Sequence, residues 1–319
     1  MSSEDNSNTN KQSNTRNRGI DAGIARLEAH RKSTASSRAE GKLRGQIARG
    51  NAEKVLQRTL SGAIYAITIL VCLYLGTIPT AVIVALMAWL CCSEFFRMVR
   101  MAGRMPNELI GLTAAALFPL VPLTGKYSYL VLAVFLLIMA NAIWYVLTPR
   151  ATAADVALSV FGPIYTSLMY ASIVAIRCVD PGNTGAFFTF AVMGSVWLND
   201  ALAYFVGSRF GKHKLAPQIS PKKSIEGFWG GMVGGIVPWI ILAILHVRGM
   251  HFGLAIAVGL LVCISAVVGD LFESRIKRGV GVKDSGNIIP GHGGMLDRAD
   301  SMLFAGTVAW AALLLGGIL

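Results

Sequence analysis

The chain has 319 residues, of which 54% are hydrophobic and 14% charged, with a mean hydropathy of +0.57 and a formal net charge of +12. Soluble domains carry about 25% charged residues, so this composition excludes an ordinary water-soluble globule and points to lipid as the solvent. The five cysteines lie in or at the ends of apolar runs with no CxxC pair. That excludes a disulfide framework or a zinc finger and leaves them as small packing residues.

Residues 1–57 are rich in Ser, Asn and Arg, and up to Arg58 the chain carries 12 Lys+Arg against 6 Asp+Glu. The first long apolar run starts near Leu60, too late for a cleaved signal peptide, so it is expected to stay as an anchor. The opening stretch has almost no apolar residues and reads as disordered. Ile24, Leu27, Leu43, Ile47, Val55 and Leu56 recur loosely enough for a basic amphipathic helix on anionic lipid. A solvated tail that only sets topology is the blander reading.

Nine apolar segments follow, each near the ~20 residues that cross a bilayer. They fall at about 59–77, 80–97, 108–123, 128–148, 156–176, 186–206, 228–247, 252–272 and 302–318. The third contains Pro119 and Pro122 and is expected to kink or stop short. With the tail inside and sides alternating, inside segments hold 26 of the 29 basic residues; outside loops keep Lys126, Arg177 and Arg248. This asymmetry follows the positive-inside rule and places the N-terminus in the cytoplasm of a cell, or inner, membrane. The fold class is therefore an all-α polytopic membrane protein of about nine transmembrane helices. Its parts are a tail at 1–57, N-terminal transmembrane helices at 58–180 and a C-terminal transmembrane region at 181–319, the part that carries the candidate site residues below.

Two inside loops are long, at about 207–226 and 273–301, and long loops in an economical membrane protein are where function collects. Before the first, Asn199 and Asp200 lie within an apolar segment. The loop then offers Ser220, Lys222, Lys223 and Ser224 just before a helix expected to start near Ser224 with Glu226 in its first turn, a site suited to an anion. Before the second, Asp270 lies in VVGDLFESRIKRG, where a carboxylate in apolar surroundings costs ~2.5–3.5 kcal/mol unless paired or bound to an ion. Helical spacing puts Asp270, Glu273, Ser274, Lys277 and Arg278 on one face. A salt bridge from Asp270 to Arg275 or Lys277 is the structural alternative to a cation ligand.

Downstream stand Lys283, Asp284 and a turn from Pro290 to Gly294 that holds His292, Gly293 and Gly294. Glycines there let backbone N–H groups approach phosphate oxygens. Asp297, Arg298 and Asp300 follow at the start of the last helix, where the two aspartates share a side and Asp300 has helix capping as its plain alternative. Glycines 230, 231, 234 and 235 read as a helix-packing face. Glu94 beside Arg97 reads as an interfacial ion pair, and the remaining histidines as interfacial or solvated. No Walker A pattern occurs.

The run Ser274–Arg278, Lys283–Asp284 and His292–Asp300 resembles the signature of the phosphatidate cytidylyltransferase family. That pattern is S-x-aliphatic-K-R, K-D after four residues, then H-G-G-x-x-D-R-x-D, and the 27-residue run Ser274–Asp300 keeps its spacing. Upstream, Asn199-Asp200, Tyr204-Phe205, Gly207 and Ser220–Gly227 also resemble the family, so the likeness spans roughly 160–319. Ala299 departs from it, where a larger aliphatic or Thr is usual, which bears on packing. The resemblance implies an enzyme that joins CTP to phosphatidic acid and releases pyrophosphate, commonly as a homodimer, with no nucleic-acid partner. It implies Mg²⁺ held at Asp270 and Asp297, with Asp300 nearby and room for a second cation such as K⁺. On this reading Lys222, Lys223, Lys277, Arg278, Lys283, Asp284, His292 and Arg298 serve the chemistry, and Asn199, Asp200, Ser220, Ser224, Gly293 and Gly294 bind substrate. A CTP-dependent polyprenol or phytol kinase is the runner-up. A transporter is less favoured, because no internal repeat is seen and the acids cluster at one membrane face.

Overall fold

The computed structural model describes residues 56–57, 59–180, 182–289 and 293–319. The tail before Leu56, with its expected amphipathic helix, lies outside the described residues, as do Pro290, Gly291 and His292 of the glycine turn. Residues Leu60–Leu319 pack as one unit.

Lipid offers the backbone no hydrogen-bond partners, so apolar segments close their own ladders as helices. Helix α1 spans Thr59–Leu75 and stops at Gly76, whose φ of 133° is open to glycine alone. Helix α2 follows at Thr77–Met101 and α3 at Glu108–Leu117, where the Asn107 side chain caps the first turn by accepting from Ile110 N at 3.1 Å. A 3-10 turn, Phe118–Thr124, continues α3 with Pro122 inside it, the expected distortion of the proline-bearing third segment. Helix α4 is Ser128–Leu147. Helix α5 (Ala153–Pro163), a π turn (Ile164–Leu168) and α6 (Met169–Arg177) make one further span. Pro163 has no N–H to donate, and the π turn begins right after it.

Seven helices are long and apolar enough to cross a membrane. The shorter pair, Thr59–Leu75 and Glu108–Thr124, coincide with the first and third expected segments. All nine apolar segments are thus helical among the described residues, in a multi-pass membrane fold. At the turn into α7, the Asp180 carboxylate accepts from Gly182 N at 3.0 Å, which holds its carboxyl below the usual range.

The last four helices build the frame of the site. They are α7 (Asn183–Phe210), α8 (Ile225–Ile244), α9 (Phe252–Gly279) and α10 (Leu296–Leu315), each packed against the next. Between α7 and α8 the structure adds a short antiparallel hairpin, β1 (Lys214–Ala216) and β2 (Ser220–Ser224), that an all-α reading leaves out. The expected start of α8 is met: Ser224 caps it, its Oγ accepting from Gly227 N at 3.1 Å, and Glu226 lies in the first turn. Helices α9 and α10 overrun their apolar segments toward one another, because charged residues continue the helices beyond the bilayer-sized cores.

The glycines of α8 are where α7 comes closest. A methyl group on Gly231 would sit 2.8 Å from the Asn199 carbonyl oxygen, and one on Gly234 2.9 Å from that of Leu198. The backbones can approach this far only without side chains between them. Gly231→Ala is therefore expected to destabilise the bundle by about 1–3 kcal/mol, as overpacking does. Thermal unfolding in detergent reads this as a lowered Tm, and activity falls with it because Asn199 and Asp200 ride on the displaced helix.

Candidate active site

At the end of the bundle where α7 stops, α8 starts and α9 runs out, a cavity of about 610 Å³ opens. Its walls carry Asn199 and Asp200 from α7, Lys214, Lys222 and Lys223 from the hairpin, and Asp270 from α9. The hairpin explains the lysines. Alternation along a strand sends neighbouring side chains to opposite faces, yet Lys222 and Lys223 both reach the cavity because it lies at the strand's end, beside the α8 N-terminus.

Asp270 does not pair with Arg275 or Lys277. Its carboxylate forms an ion pair with Lys223, and Ser274 Oγ donates to Asp270 Oδ1 at 3.2 Å. Asp200, Asp270 and Asp300 interact with one another electrostatically, so three helices bring negative charge to one region. Asn199 is buried at 1% exposure, and among the described residues its Oδ1 has no hydrogen-bond partner. Ser220, at the outer end of β2, is not part of the cavity wall.

Asp297 has a different setting. Lys277 Nζ donates to Asp297 Oδ1 at 2.6 Å, Gly294 N to Oδ2 at 2.7 Å, and Ser285 N to both oxygens at 3.1 and 2.9 Å. Lys277 also pairs with Glu273, whose side chain is fully buried. The Lys277 ammonium thus ties α9 to α10 through two carboxylates, and Asp297 pins both ends of the signature loop. Gly293 has φ 86°, and a methyl group there would lie 2.7 Å from Asp297 Oδ2, so the turn needs glycine on both counts. Asp300 Oδ1 accepts from Ser301 N at 2.6 Å.

Other signature residues stand apart. Arg278 donates to Val282 O at 3.2 Å and closes the C-terminus of α9. Lys283 and Asp284 are exposed on the loop, and Ala299 is fully buried. Arg298 is exposed and faces an apolar slot beside the cavity.

One buried carboxylate that positions the signature loop escapes the motif reading. Glu94 of α2 is not the interfacial partner of Arg97. It is 3% exposed and accepts three hydrogen bonds, from Ser285 Oγ at 2.9 Å, Met295 N at 3.0 Å and Leu296 N at 2.9 Å. Its charge meets the first N–H groups of α10, where a helix favours an anion. Arg97 instead donates to the Ser285 carbonyl. A signal did exist. Val84, Ala88, Cys91 and Phe95 mark the buried stripe of α2, and Glu94 falls on it, where a carboxylate must find donors.

For a divalent cation the donor set divides. Asp270 opens on the cavity with Lys223 and Ser274 as its only partners among the described residues, which fits an ion held by one or two carboxylates and completed by phosphate oxygens. Both Asp297 oxygens are already bonded to protein donors. Among the described residues no group of three His, Cys, Asp or Glu stands close enough to hold a metal alone.

The sequence profile of the cytidylyltransferase family matches residues 56–315. A phosphatidate cytidylyltransferase of Bacillus subtilis is 34% identical over 257 residues, covering 78% of this chain and 93% of that protein. One of Mycobacterium tuberculosis is 40% identical over 168 residues, 53% of this chain and 50% of its own. One of Staphylococcus haemolyticus is 48% identical over 109 residues, 34% and 42% respectively. A match over most of the length, joined to a cavity where cations and carboxylates converge between the matched motifs, shows that this chain belongs to the cytidylyltransferase family.

Proposed function

We propose that the chain transfers the cytidylyl group of CTP to phosphatidic acid, giving CDP-diacylglycerol and pyrophosphate. The observation that carries this reading is the cavity itself, in which Lys214, Lys222 and Lys223 face Asp200 and Asp270 at the end of an apolar bundle. Three ammonium groups suit a triphosphate. The adjoining helices suit a lipid.

In the reaction a phosphate oxygen of phosphatidic acid attacks the α-phosphorus of CTP in line. The new P–O bond forms as the bond to the β-phosphate oxygen breaks, and pyrophosphate leaves with that electron pair. Such transfers need charge neutralisation and positioning more than covalent help from the protein. Lys222 and Lys223 hold the triphosphate, and Arg298 meets the lipid phosphate. Lys223 gives up its pairing with Asp270 when phosphate arrives, which frees that carboxylate. Asp270, with Asp200 and Asp300 close by, would hold Mg²⁺, which would supply charge neutralisation on the phosphates. The same carboxylates would also hold a second cation such as K⁺. Asp297 and Lys277 fix the loop that completes the site. Because CTP is cytosolic and the other substrate a lipid, the cavity end faces the cytoplasm of a cell membrane, with the N-terminus on that side. The family resemblance further implies a homodimer.

CTP labelled at the α-phosphorus tests this reading. The label should enter phosphatidic-acid-derived lipid only with Mg²⁺ present; lipid labelled instead from γ-labelled CTP would make the protein a kinase. Asp270→Asn is expected to lower kcat at least about a hundredfold, since loss of a metal's outer-sphere partner alone costs 10–100-fold. Near-normal activity in that variant removes Asp270 from the mechanism.

A further inference from the structure

Beside the polar cavity runs a second, narrow space of about 40 Å³, walled by α1, α2, α6, α7 and α10. We propose that this slot receives one acyl chain of the lipid substrate, with the Arg298 guanidinium at its polar end taking the lipid phosphate. The proposal rests on the cytidylyltransferase reading and adds to it the place of the lipid and a role for α1 and α2, which lie outside the signature motifs.

The walls set the ligand's chemistry. Ile69, Leu73, Val84 and Ile173 make them hydrocarbon, and all four are buried. Of the polar atoms in them, Thr80 Oγ1 is committed elsewhere, donating to Gly76 O at 2.7 Å and to Cys72 O at 3.1 Å. Arg298 is the one charged residue in the walls, and among the described residues its side chain has neither ion pair nor hydrogen bond. Trp197 of the slot wall and Asp200 of the cavity wall lie one turn apart on α7, so the two spaces neighbour one another along that helix. An apolar slot that ends in one free cation, next to a cation-lined cavity, complements an anion tethered to hydrocarbon. A free phosphate has no use for the slot, and a neutral lipid has none for the arginine.

Three methionines, Met87, Met193 and Met302, line the slot. Their flexible thioethers can swing aside to admit a chain, which reconciles the small open volume with an extended guest. Depth can be read along the helices. Ile69 and Leu73 lie one and two turns beyond Tyr65, roughly 6 and 12 Å at helical rise. A short chain therefore stops before Ile69, and a long one must pass it.

The test fills the slot at that level with Ile69→Phe and, on the facing helix, Val84→Phe. Dioleoyl and dihexanoyl phosphatidic acid are compared as substrates of the full-length protein in detergent. The ratio of kcat/KM for the long lipid over the short one should fall roughly tenfold or more, the scale on which an apolar pocket discriminates by shape. Equal effects on both lipids, or none, overturn the proposal. Should either variant fail to fold, wild-type protein photolabelled with phosphatidic acid carrying a diazirine near its acyl terminus gives the answer. Label on α1 and α2 supports the slot, and label only elsewhere, for instance on α4, refutes it. Failure of the parent reading looks different, because then the wild type converts neither lipid while the labelling pattern can still be read.

Discussion

Glu94→Ala should lower kcat about a hundredfold while leaving the KM for CTP within a few-fold of normal. The side chain is not part of the cavity wall. It accepts from Ser285 Oγ and from the first two N–H groups at the head of α10, and so fixes where the signature loop ends and the helix begins. Without it two buried backbone donors lose their acceptor at a cost of about 1–3 kcal/mol each, and Asp297, Arg298 and Asp300 drift with the helix. A displacement near 1 Å is enough for a loss of about 10² in rate. Glu94→Gln sharpens the test. One carbonyl oxygen remains to accept, but the amide nitrogen cannot replace the second oxygen, so its kcat should fall between those of the wild type and the alanine variant. A purely structural role would lower Tm and the amount of folded protein without this ordering of kcat per folded molecule. If kcat per folded molecule is unchanged in both variants, Glu94 does not position the site.

How much of this was legible in the chain depends on the range of the interaction. The nine helical segments could be read directly, because hydropathy over about 20 residues and the placement of Lys and Arg are local properties of the sequence. The start of α8 at Ser224 was legible for the same reason, since an N-cap acts three residues away. Helix ends were less so. The apolar run of α9 fades near residue 272, yet the helix reaches Gly279, carried by the Glu273–Lys277 pair one turn apart. The β1–β2 hairpin was hidden by Pro217 and Pro221, which argue against strands. Pro221 is tolerated because a two-stranded ribbon consists only of edges.

Partner choice was the least legible layer. Sequence spacing offered Asp270 the basic residues of its own helix, whereas the fold gives it Lys223, 47 positions upstream, because the hairpin brings β2 against the cavity mouth. In the same way the motif suggested that Asp270 and Asp297 act on one ion, while the structure seats them beside different lysines. The resemblance singles out candidate residues. Which lysine faces which carboxylate is a tertiary property, and no local pattern encodes it.

Lys277 shows what that difference implies. Its ammonium is shared by Glu273, with no exposed side-chain surface, and Asp297, only 6% exposed. Lys277→Met should therefore strand two carboxylates and destabilise the protein by about 3–5 kcal/mol, the range for breaking one side of a buried ion pair. Unfolding followed in detergent reads this as a large fall in Tm. Replacing Glu273 as well, in Lys277→Met/Glu273→Gln, removes the more deeply buried of the two stranded charges. The double variant should recover about 1 kcal/mol or more relative to Lys277→Met, a coupling within the range for residues in contact. Activity should not return with stability, because Asp297 still lacks the ammonium that holds it against α9. Recovery of both together would mean that Lys277 serves only to neutralise Glu273. Recovery of neither would mean that the stranded Asp297 charge, and not Glu273, dominates the loss.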